Sequence, residues 1–164
     1  MDHRLLRRLP LGFAAGVLAT ALLIAGGHGP ALAAGPDGQA AILARQAGFK
    51  KMGGAMKALN AQIKSGAADK AAMAAAAATI LETARGQGSL FPPDSGASAG
   101  IKTDALPAIW ADKAKFDGDM TAMVGEAGKL VATVHGGSAD AIAAQTKALG
   151  DTCKSCHQQF RQDS

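Results

Sequence analysis

The chain predicts an all-α protein, an antiparallel up-down-up-down four-helix bundle, and three observations predict it. The sequence is rich in Ala, has no Tyr and one Trp, and alanine is the strongest helix former. Apolar residues recur at spacings of three and four in four separate segments, one stripe to each. Two of the three connections between those segments are very short, which makes neighbouring helices antiparallel.

The first helix is expected over about Gly38 to Ser65. Its stripe is Ile42, Phe49, Met56 and Ile63, with Met52 and Leu59 interleaved. The second is expected from Asp69, a capping residue, to Arg85, with Met73, Ala76, Ile80 and Ala84 inward and Gly86 as its stop. Residues 86–104 are rich in Gly, Pro and Ser and read as a loop. The third helix is expected to open at Leu106-Pro107, since proline suits a first turn. Its seam is Ile109, Phe116, Met120, Met123, Ala127, Leu130 and Val134. Gly136-Gly137 ends it. Ser138 caps the fourth, which runs to about Gln162 with Ile142, Thr146, Leu149, Cys153, Cys156 and Phe160 inward.

Residues 1–33 read as an export signal rather than as part of the fold. Arg4, Arg7 and Arg8 precede an apolar run over 11–25, and Ala31-Leu32-Ala33 fits a small-x-small cleavage site. The run is short and glycine-broken for a membrane span of about 20 residues. Cleavage after Ala33 leaves one domain, residues 34–164, with no membrane anchor. The chain is +4 and the leader holds three Arg against one Asp, so the remainder carries +2. That is too weak and too scattered a charge for a nucleic-acid footprint.

Both cysteines lie in one motif, Thr152-Cys153-Lys154-Ser155-Cys156-His157. On a helix Cys153, Cys156 and His157 project from one side. Two thiols at this spacing can add across two vinyl groups of a haem, with the adjacent imidazole reaching the iron, and C-x-x-C-H is the attachment signature of haem c. A thioredoxin-like pair would sit beside a βαβ pattern, which the sequence lacks. A closed zinc site wants about four ligands, more than the motif supplies.

An all-α bundle with this motif in its last helix resembles the class II cytochromes c, most of all the cytochrome c′ type. The resemblance rests on Arg45-Gln46, Leu90-Phe91-Pro92, Pro107-x-Ile109-Trp110 and the run from Cys153 to Phe160-Arg161. It implies one covalent haem, a periplasmic location and a homodimer packed through helices of the bundle. It implies roles as well. Phe49 takes the distal position, where low-spin relatives place Met, and it covers the iron without ligating it. Arg161 lies beside the axial imidazole; there it donates to a proximal ligand or a propionate, or else it stands exposed at the helix end.

Arg45 falls in the apolar seam, where a charge needs an anion. A haem propionate is the expected one, with Gln46 at the same edge; the alternative is an arginine snorkelling out of the bundle end. His135 closes the third helix, about 28 Å from His157 at 1.5 Å per residue, and so is excluded as a sixth ligand. Met73 and Met123 are expected to lie too far away. Met52, one turn beyond Phe49, is the rival ligand, since a thioether can bind haem iron.

Two functions follow. One is a five-coordinate cytochrome binding nitric oxide and related diatomic gases. The other is an electron carrier for periplasmic redox partners, five-coordinate or low-spin through Met52. A helical protein whose cysteines form only a disulfide is a third. No nucleophile triad, paired carboxylates or phosphate loop points to an enzyme.

Overall fold

The computed structural model describes residues 37–66 and 69–162. The export signal expected at 1–33 lies outside them. Four long helices, α1 (Gly38–Ser65), α2 (Lys70–Gln87), α4 (Lys113–Gly136) and α5 (Ala139–Phe160), form the bundle, and a single turn, α3 (Ala108–Ala111), precedes α4.

Capping explains most boundaries. Asp37, Asp69, Asp112 and Ser138 each accept a hydrogen bond from a backbone N–H of the first turn that follows. Gly66 ends α1 with φ 69°, a left-handed conformation that costs glycine little. Helix α2 does not stop at Gly86. It continues to Gln87 and tightens into a 3₁₀ turn over Gly88–Leu90, since Gly86 keeps negative φ rather than turning left-handed as Gly66 does. The expected third helix is broken at Asp112, whose backbone leaves the helical region (φ −126°, ψ 64°) while its side chain caps α4 through Lys115 N.

The core is the seam read from periodicity. Leu59, Ile80, Phe116, Ala127, Leu130, Val134, Ile142 and Leu149 are all buried. Helix α1 packs along α2, α2 along α4, and α4 along α5, whereas α1 and α5 touch only sparsely. The fourth seam of the bundle therefore stands open.

Residues 102–106 bridge its mouth. On one side Arg45 and Gln46 of α1 donate to Thr103 Oγ1 and Lys102 O, each at 2.8 Å. On the other, Leu106 N donates to Phe160 O (3.0 Å) and Gln162 N to Asp104 O (2.8 Å). This pairing turns Arg161 extended and ends α5 at Phe160, before the expected Gln162. Among the described residues, no helix is long and apolar enough to cross a membrane.

Candidate haem site

The open seam holds a cavity of about 600 Å³, within the range of roughly 300–1,000 Å³ usual for ligand and cofactor sites. Its walls are largely apolar, with Met52, Ile80, Phe116, Met120, Met123 and Leu149 at depth. Cys153, Cys156 and His157 line it from α5, and Arg45, Gln46 and Phe49 from α1. Arg161 also reaches it. All seven residues singled out from the sequence thus meet at one cavity.

The three motif residues suit an attached porphyrin. Both thiols are free and half-buried. Burial raises the Cys153 pKa, and burial together with the negative charge of Asp119 pushes Cys156 to about 11. Burial and then the nearby Arg161 cation hold the His157 pKa below its usual value, so its imidazole is neutral at pH 7. A neutral imidazole offers the lone pair that a metal needs. Among the described residues, no group of three His, Cys, Asp or Glu is gathered to hold a bare ion.

Arg45 is 2% exposed, so it does not snorkel. Its acceptors are supplied by the loop: Nη1 donates to Leu90 O (3.2 Å) and Ser95 Oγ (2.8 Å), and Nη2 to Ser95 O (2.7 Å) and Thr103 Oγ1 (2.8 Å). Its guanidinium also lies 4.5 Å from the centre of the Phe91 ring. The buried cation is thereby satisfied without a carboxylate, and burial lowers its pKa. Arg161 pairs with Asp104 at 3.5 Å, half-exposed at the mouth.

Phe49 stands at the end of an aromatic file. Phe49 and Phe91 meet edge-on with centroids 6.4 Å apart, Phe91 and Phe116 at 4.7 Å, and Phe116 and Phe160 at 5.4 Å. Trp110 pins the loop that carries Phe91 by donating to Pro92 O at 3.0 Å. The backbone beside Phe49 is held from behind. A β-carbon on Gly48 would fall 1.9 Å from Gln87 Nε2, so the Gln87 amide of α2 lies over the α1 backbone in the space that glycine leaves. Gln87 is 3% exposed, and its Oε1 is buried with no hydrogen-bond partner among the described residues.

Met123 lines the deep end of the cavity, although its place in the chain put it too far away. Asp119, which sequence reasoning passed over, lines the wall near Cys156 and pairs with Lys115 at 3.1 Å. Its one sequence signal was its position, a turn before Met123 on the α4 seam.

A helical bundle with a C-x-x-C-H motif facing an apolar cavity at one end defines a mono-haem c-type cytochrome of the bundle class. The Cytochrome C' family model matches residues 40–161, and the chain belongs to that family. Cytochrome c' of Rhodopseudomonas palustris is 39% identical over 121 residues, covering 73% of this chain and 80% of that protein. The atomic structure of a cytochrome c' with an unusual ligand-controlled dimer dissociation superposes with a TM-score of 0.74 at 30% identity, over 79% of this chain and all of that one. A nitric oxide complex of a variant cytochrome c prime from Alcaligenes xylosoxidans gives 0.70 at 25% identity, over 78% and 98% of the two chains. Proteins of this family carry one covalently bound haem c.

Proposed function

We propose that this is a periplasmic mono-haem cytochrome whose iron takes His157 on one side, takes no protein ligand on the other, and binds nitric oxide and related small gases. Haem c, when bound, supplies an iron that takes up diatomic ligands and changes oxidation state. Cys153 and Cys156 hold it by thioethers. The observation that carries the reading is that Cys153, Cys156 and His157 on α5 share one apolar cavity with Phe49 on α1. Phe49 has no lone pair to offer a metal. Its apolar ring would cover that side of the haem, a surrounding that suits a small, weakly polar ligand better than water. The nitric oxide complex of the Alcaligenes relative supports the same use here.

Residues 1–33 serve as the cleaved export signal, and residues 34–164 as the haem domain. Electron exchange with periplasmic redox proteins is a compatible second use, because Gln46, Arg161 and Asp104 put polar groups at the cavity mouth. The chain works as a carrier and receptor rather than as an enzyme, and as a homodimer.

The absorption spectrum of the holoprotein tests this reading. A broad high-spin Soret band in both oxidation states, shifting on addition of nitric oxide, is expected. A sharp low-spin α-band without added ligand would overturn it in favour of Met52 as sixth ligand, since Met52 also lines the cavity.

A further inference from the structure

A second pocket, of about 330 Å³, opens on the surface between the end of α2 and the first turns of α4. Ala84, Gly88, Thr121 and Val124 form its walls, with Arg85 and Asp117 among its residues. Met120 is its inner wall and is the one residue shared with the haem cavity. Met120, 6% exposed, therefore touches both the outer pocket and the deep apolar end of the site. We propose that small uncharged gases reach the haem cavity through this side pocket, with Met120 as the gate. The proposal rests on the gas-binding reading above.

Three features suit Met120 to that task. Its side chain is unbranched, with three rotatable bonds and a soft thioether, so it changes rotamer more cheaply than a branched or aromatic wall would. Gly88 lies against it without a side chain; even a β-carbon there would only come within 4.0 Å of Met120 Cβ. Ala84, on the same wall, is equally small. Space for the side chain to swing is thus built in from the α2 side.

The chemistry of the two openings differs. The wide mouth is edged by Arg161, Asp104, Gln46 and Lys50, and a group tethered at Cys153 and Cys156 would occupy the part of the cavity those two cysteines line. Phe49, backed by Phe91 and by the Gly48–Gln87 approach, closes the α1 wall. Behind Met120 the surroundings are Ile80, Phe116, Met123 and Leu149, all apolar. A charged ligand gains nothing on that path, whereas a neutral diatomic molecule loses nothing. Met120 would therefore act as a specificity-determining residue.

The test is carbon monoxide association to the ferrous holoprotein by stopped flow, together with xenon-pressurised crystals. Met120→Ala is expected to raise the association rate at least threefold. Thr121→Trp, at an exposed position on the pocket rim, is expected to lower it at least threefold. Thr121→Trp, which lies outside the haem cavity, is expected to leave the Soret spectrum unchanged. Xenon is expected in the outer pocket of the native protein and absent from Thr121→Trp. Rates within twofold of native in both variants, or a change in Met120→Ala alone, overturn the route. Should the native iron prove low-spin, the proposed function fails instead, and the xenon result alone decides the pocket.

Discussion

Arg45 ties α1 to the loop with four hydrogen bonds. Its replacement by Met keeps the length and removes the donors. Ser95 is fully buried, so its carbonyl and hydroxyl lose Nη2 and Nη1 with no water in reach. Leu90 O and Thr103 Oγ1 are only part-buried and turn to solvent at small cost. Hydrogen bonds to a charged group are worth about 1.5–3 kcal/mol each, net of exchange with water, so the two to Ser95 come to about 3–6 kcal/mol. Loss of the guanidinium from the Phe91 face adds about 0.5–2 kcal/mol, while relaxation of the loop takes some back. The expected loss is about 3–5 kcal/mol. In urea unfolding of the holoprotein, followed by far-ultraviolet circular dichroism, a slope of about 1–3 kcal/mol/M turns this into a fall of roughly 1–5 M in midpoint. Arg45→Lys keeps the charge, but one nitrogen cannot span acceptors on three residues, so it recovers less than half. A loss below about 1 kcal/mol for Met, or full recovery by Lys, would refute the view that Arg45 works as a loop anchor.

Gly48→Ala forces the Gln87 amide aside and is expected to cost about 1 kcal/mol after the gain in helix propensity. Adding Gln87→Ala removes both the collision and the orphaned Oε1, so the double variant regains stability, with a coupling of about 1–2 kcal/mol in a thermodynamic cycle. Gly54 faces open space within its helix, and Gly54→Ala should stabilise by about 0.5–1 kcal/mol in the same urea assay. Glu126 is held below the ordinary 4.5 of a glutamate by Lys129 first and then Gln145, which reaches it from α5 at 2.6 Å. A lowered carboxylate pKa contributes stability above its unfolded value and loses it as the pH falls through its folded one. Glu126→Gln should therefore melt below native at pH 7, with the gap closing as the pH drops past 4.5; an equal gap at pH 3 and pH 7 would rule out the brace.

The long helices were readable because their stripes are regular and their caps local. Asp69 and Ser138 sit where a capping side chain is expected, and each caps. Asp112 was not readable. It interrupts an otherwise continuous apolar repeat, and only its backbone angles tell a cap from an exposed helical aspartate. Arg45 could be recognised as buried from its place in the seam, but its acceptors lie 45 to 58 positions away in a loop, where no periodicity sets a register. Met120 and Met123 were read as core, and they are. Periodicity says which side faces inward, not whether the inside is filled. The closeness of Gly48 to Gln87 left no mark beyond a glycine in mid-helix.

Three of the four seams of this bundle are sealed by side chains, and the unsealed one joins the first long helix to the last. In chain terms that is the longest ring to close, and its entropic cost grows with the logarithm of its length. Residues 102–106 close part of it. A porphyrin tethered at Cys153 and Cys156 would close the rest, burying its apolar faces only in the folded state. Because the thioether bonds hold it on the chain folded or unfolded, that contribution would not depend on the concentration of free haem.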